Sequence, residues 1–221
     1  MVRGVKKKYN WNTMITKSKF NLGKLNRQYL FIDGSNLYAE QYDLFGPHEF
    51  INFPIFIRQI ENKLEVKFNR IFFYTSYSPQ AKKPTRQQKL YLKNEAFFYR
   101  SVKNTERVTF FTGYRSKTSG KEKEVDVKLA VDMVNFAHLN KYDTLYLFSG
   151  DADFMHALVI AKQLRKKVVI LALQNRIPIR FTYNYQTYAM IIDKIKEKPR
   201  CFPKQKITFI TIPKEKIILR V

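Results

Sequence analysis

Residues 143–154 read DTLYLFSGDADF: an apolar run, then Ser149, Gly150 and two aspartates one residue apart. The run is continuous rather than alternating, as expected of a strand buried on both faces. Ser149 to Asp153 then form a polar turn before FMHALVIAKQL, where Phe154, Leu158, Ala161 and Leu164 recur at helical spacing. A buried strand followed by an amphipathic helix is half of a βαβ unit. The same unit recurs outward from this point. QYLFID (28–33) runs into Gly34, NRIFFYTSY (69–77) and RVTFFTGY (107–114) are further apolar runs, and KKVVILAL (166–173) follows directly. Helical spacing fills the intervals at 54–64, 85–102, 125–138 and 153–165. The pattern predicts an open, mainly parallel five-stranded α/β sheet with helices on both faces, over about residues 29–196.

The end of the chain departs from this rhythm. ITFITI (207–212) and KIILRV (216–221) flank PKEK and predict a β-hairpin within a basic extension over 197–221. Such a hairpin offers an added sheet edge or a contact with a second copy of the chain. Residues 174–190 interleave Arg176 and Arg180 with Phe181, Tyr183, Tyr185 and Tyr188. A terminal helix packed on the core is the plainer reading of these aromatics, and stacking on unpaired bases the sharper one.

Of 221 residues, 41 are Lys or Arg and 18 are Asp or Glu, a formal charge of +23. The excess is segregated. Residues 1–28 hold eight basic residues and no acid, a basic arm for which targeting and mere solubilisation stay open. Residues 194–221 hold nine basic and two acidic residues, and residues 82–123 another twelve basic ones. On a helix over 85–102, Arg86, Lys89, Lys93 and Arg100 fall within about 60° of one another. Lys121 and Lys123 extend that basic segment. A polyanionic partner, RNA, fits this distribution. The single cysteine, Cys201, excludes a disulfide framework and a cysteine-rich zinc site. No apolar run is long enough to span a membrane, and the first residues lack the apolar stretch of a secretory signal. A cytoplasmic protein is expected.

Ligands of open parallel sheets bind at the carboxyl ends of the strands. There the sequence expects Asp33 after the first strand, Asp151 and Asp153 after the fourth, and Asp126 from the first turn of the helix at 125–138. Asp126 is read on that helix's buried stripe and Asp132 on its solvated side. Singly, each acid has an ordinary use as a cap or first-turn residue. Four from three distant segments at one edge point instead to a cation. Hard oxygen ligands without Cys or His select Mg²⁺ or Mn²⁺.

FIDGSN (31–36), EVDVKLAVDM (124–133) and LFSGDADF (147–154), in this order and spacing, resemble the NYN branch of the PIN-like nucleases. The likeness covers roughly residues 28–173. It implies a Rossmann-like (PIN-like) fold and metal-dependent hydrolysis of RNA. Asp33, Asp126, Asp151 and Asp153 would form the catalytic metal site, with Asn36 and Ser149 as polar supports. Glu122 and Glu124, before the VDV aspartate, depart from the family pattern. Two other functions compete. A haloacid-dehalogenase-like phosphatase needs a nucleophilic aspartate where this chain has Phe31. A PIN-like RNA-binding or assembly module without turnover suits the charge equally well.

Overall fold

The computed structural model describes residues 26–115, 122–177, 179–192 and 207–220. The basic arm through residue 25, Lys121 and Cys201 lie outside the described residues, as does the side chain of Lys123. The chain enters with β1 (Gln28–Asp33), α1 (Gly34–Phe45), β2 (Glu49–Ile51), α2 (Phe53–Leu64) and β3 (Arg70–Thr75). α3 (Arg86–Lys103) and β4 (Val108–Thr112) follow, then a small antiparallel pair, β5 (Tyr114–Arg115) and β6 (Glu122–Lys123). Next come α4 (Val125–His138), β7 (Thr144–Phe148), a 3-10 turn (Ala152–Phe154), α5 (Met155–Gln163) and β8 (Lys167–Leu173). The last elements are α6 (Ile179–Thr182), β9 (Gln186–Ile192), β10 (Ile207–Ile212), α7 (Lys214–Ile217) and β11 (Ile218–Arg220).

Among the described residues the main sheet has seven strands, in the order β10-β9-β8-β7-β1-β3-β4, and every neighbouring pair is parallel. The chain builds outward from β1 in one direction through β3 and β4, then returns to lay β7 on its other side. Both faces are covered, which explains why every residue of β7 is buried. Side chains alternate across the sheet. Leu30 and Ile32 pack with α1, α2 and α3, while Phe31 packs with α4 and α5. The aromatic content goes largely into these two layers: Phe31 stacks on Phe72 at 5.2 Å and Phe73 on Phe110 at 5.4 Å between ring centroids.

Helix starts follow from local chemistry. Thr85 and Gln88 close a reciprocal capping box on α3, and Asn52 caps α2 ahead of Pro54. Below the sheet, Arg27 clamps Asp143, its backbone N–H and Nε donating to Oδ2 at 2.9 and 3.1 Å. That contact anchors the entry of β1 beside β7.

The sheet has seven strands among the described residues rather than five, because β9 and β10 add to it beyond β8, and three further expectations are corrected. Residues 207–212 and 218–220 are strands, yet they do not form a hairpin: β10 extends the main sheet beside β9, and β11 pairs antiparallel with β2. The PKEK segment turns helical as α7 instead of closing a tight turn. The buried Ile217 carbonyl then accepts from Asn52 N–H, steering β11 onto β2. An association through a C-terminal hairpin loses its element. Residues 174–190 hold the short α6 and most of β9 rather than a terminal helix; Phe181 and Tyr185 are core, while Tyr183 is exposed. In α4 the assignment of the two aspartates is reversed. Val125, Leu129, Asp132 and Met133 face inward at helical spacing, and Asp126 is exposed. Asp132 is sustained there by the Tyr74 hydroxyl at 2.8 Å and Lys128 Nζ at 2.6 Å.

A candidate active site at the β1–β7 junction

β1 and β7 lie side by side but lead into crossovers running in opposite directions, so a crevice opens beyond their carboxyl ends. Asp33 stands there. It ends β1 and caps α1 at once, accepting the Asn36 N–H at 3.0 Å. Gly34 permits this turn, because a Cβ there would lie 2.1 Å from the Phe73 ring. On β7, Ile32 is level with Phe148, which brings the next residue, Ser149, opposite Asp33. Ser149 Oγ donates to Asp33 Oδ2 at 3.0 Å and accepts the Asp151 N–H at 3.0 Å. One buried hydroxyl thereby fastens the two strand ends together. Asp151 caps the 3-10 turn, accepting the Asp153 N–H at 2.9 Å.

Asp33 is only 5% exposed. Burial, then the negative charges of Asp126 and Asp151, push its carboxyl up to about 7, against the lowering effect of the Asn36 and Ser149 hydrogen bonds. Three of the expected acids therefore share one electrostatic neighbourhood. Asp153 does not join it in this way. Its exposed side chain lines a shallow groove with Val134, His138 and His156 between α4 and α5. Among the described residues no three His, Cys, Asp or Glu side chains are gathered into a ready-made metal cage.

A residue absent from the sequence expectations is Glu40. It lies on α1 one turn beyond Asn36 and is fully buried, and among the described residues its carboxylate oxygens have no close hydrogen-bond donor beyond a weak approach of the Leu173 backbone. Burial raises its carboxyl to about 8, with Asp33 adding to the rise and the Arg176 charge opposing it. Asn36 Oδ1 is also buried without a partner. Both face Gly150, where a Cβ would lie 3.3 Å from the Arg176 carbonyl, 3.7 Å from Glu40 Oε1 and 4.0 Å from Asn36 Oδ1. The signal was present in DGSNLYAE, where Asp33, Asn36 and Glu40 are spaced by three and four residues along one helix face. The crevice is thus lined with hard oxygen acceptors and crowded negative charge, which suits a divalent cation and no softer metal.

Arg86, Lys89, Lys93 and Arg100 are exposed along α3, and none makes an ion pair among the described residues. Glu95, an acid on the same helix, turns inward to accept from Ser78 N–H at 3.0 Å and Ser78 Oγ at 2.6 Å. No helix among the described residues is long and apolar enough to cross a membrane.

The chain is similar to the low amplitude and bright protein LabA of Synechococcus elongatus, with 24% identity over 160 residues, 69% of this chain and 76% of that protein. Its fold is similar to the crystal structure of a protein of unknown function from Vibrio parahaemolyticus, at a TM-score of 0.53 and 17% identity, covering 77% of this chain and 95% of the other. The family model described as NYN domain matches residues 27–188, from the foot of β1 into β9, and with the whole β1–β7 junction inside that match the chain belongs to the NYN-domain family.

Proposed function

We propose that the chain is a metal-dependent ribonuclease hydrolysing phosphodiester bonds of single-stranded RNA. Family membership points to a nuclease or RNA-related role. The observation that carries the finer reading is Asp33: a carboxyl at the strand-order reversal, raised first by its burial and further by the charges of Asp126 and Asp151. Such crowding of like charge is relieved by a cation. Asp33, Asp126, Asp151 and Asp153 would hold Mg²⁺ or Mn²⁺, with Asp153 turning in from its groove. When bound, the ion supplies a Lewis acid that activates water and stabilises the leaving oxygen. Ser149 fixes the orientation of Asp33, and through the Asp151 N–H it fixes the first turn after β7. The cations of α3 draw the phosphate backbone toward this edge. A cytoplasmic place of action belongs to the same reading.

The purified protein is incubated with labelled RNA and Mn²⁺ beside Asp33→Asn and Asp151→Asn. Cleavage by the parent, lost in both variants, is expected; equal cleavage by all three would mark a contaminant and end the assignment. The carboxylates are not gathered into a cage, and this favours one second reading, an RNA-binding module without turnover. Tight, salt-sensitive binding with no cleavage under any divalent ion would select it.

A further inference from the structure

The basic face of α3 carries an aromatic ring in its midst. Phe97 is 39% exposed, one turn beyond Lys93 and one turn before Arg100. Lys93 Nζ lies 5.7 Å and the Arg100 guanidinium carbon 5.9 Å from the centre of its ring. A lone surface phenylalanine needs no explanation. This one sits between two cations that have no acid to pair with among the described residues.

The line continues toward the crevice. Lys103, one turn past Arg100, donates to the Tyr77 hydroxyl at 3.2 Å and lies 5.6 Å from that ring's centre. Tyr77 is 42% exposed and follows the carboxyl end of β3 by two residues. At that strand end Thr75 Oγ1 is 3.3 Å from Ser35 Oγ, two residues from Asp33. Cations therefore flank both rings along a line from α3 to the edge that holds the acids.

We propose that Phe97 and Tyr77 are base-stacking subsites on a track that leads single-stranded RNA to Asp33, a reading that rests on RNA being the substrate. The cations meet phosphates, and the rings accept the faces of unpaired bases, which a duplex keeps stacked and unavailable.

Binding of labelled oligouridine is measured by fluorescence anisotropy across a salt series, with chelator present so that cleavage plays no part. Phe97→Ala and Tyr77→Ala each weaken binding by roughly five- to a hundredfold, with the salt slope unchanged because no charge is lost. Phe97→Tyr keeps the parent affinity. Arg100→Ala instead makes the slope shallower by about 0.7. Duplex RNA binds Phe97→Ala as well as it binds the parent. The thermal midpoint of Phe97→Ala matches the parent, since the ring is on the surface. Unchanged affinity in Phe97→Ala, an equal loss for duplex, or a parent that binds no RNA would each overturn the track. Binding that depends on Phe97 in a protein that never cleaves would remove the nuclease and leave the track standing. Cleavage indifferent to Phe97 and Tyr77 would do the reverse.

Discussion

Ser149 Oγ donates to Asp33 Oδ2 across 3.0 Å in a place with no solvent access to the hydroxyl's residue. The bond joins the ends of two strands that are 116 positions apart in the chain. It also lowers the Asp33 carboxyl, working against burial and the neighbouring acids.

Ser149→Ala removes that effect. The Asp33 carboxyl moves above about 7, and one buried acceptor is left without its donor, at a cost of about 1–3 kcal/mol. If ionised Asp33 is needed for cleavage, the acid limb of the pH–rate profile shifts to higher pH. A profile identical to the parent's would show that the serine does not control Asp33.

Metal-free stability should depend on pH through the two buried carboxyls. Asp33 rises from 3.8 to about 7 and Glu40 from 4.5 to about 8 on folding. The folded state then holds more protons than the unfolded chain, so their contribution is full below about pH 4 and is lost as pH rises through about 7 to 8. Asp143 and Glu49 have lowered carboxyls and act in the opposite sense, at acid pH. Calorimetry of chelator-treated protein is expected to show a thermal midpoint falling between about pH 5 and about pH 8. Glu40→Gln flattens the upper part of that fall and raises the midpoint above pH 8. A midpoint rising over this window would contradict both assignments.

Much of this site was legible in the sequence, for physical reasons that also explain what was missed. The runs at β1, β3, β7 and β8 stand out because a strand covered on both faces has no polar side to interrupt it, whereas β4, at the sheet edge and without a buried residue, stands out through its β-branched and aromatic residues. In β9, Tyr188 remains partly exposed and Thr187 is buried, so QTYAMII lacked that uniformity. The partners of β10 and β11 depend on contacts far apart in the chain, which local turn chemistry does not report. Asp126 and Asp132 were exchanged because the phase of α4 was anchored one residue away from Val125. The burial of Glu40 is not legible in the sequence, because buried acids are rare and an acid within an amphipathic helix reads as exposed.

Gly34→Ala tests the close approach that lets β1 turn into α1. The new Cβ meets the Phe73 ring, which is buried and stacked on Phe110. Overpacking of this kind costs about 1–3 kcal/mol. Thermal denaturation is expected to show that loss, with partial recovery when Phe73→Leu is added. A parent-like midpoint in the single variant would mean that the ring yields freely.

The reversed roles of the α4 aspartates make the sharpest contrast. Asp132→Ala strips the buried Tyr74 hydroxyl of its acceptor and Lys128 of its carboxylate, at a cost of about 1–3 kcal/mol. Asp132 has no part in the crevice, so cleavage per folded molecule is retained. Asp126→Asn behaves in the opposite way. Its side chain is exposed, so the thermal midpoint changes little. Its charge is one of those raising Asp33, so the Asp33 carboxyl moves down, detectable by carboxyl-carbon NMR titration without metal. Mn²⁺-dependent cleavage is lost with it. Should Asp132→Ala abolish cleavage while Asp126→Asn keeps it, the crevice would have been built around the wrong aspartate.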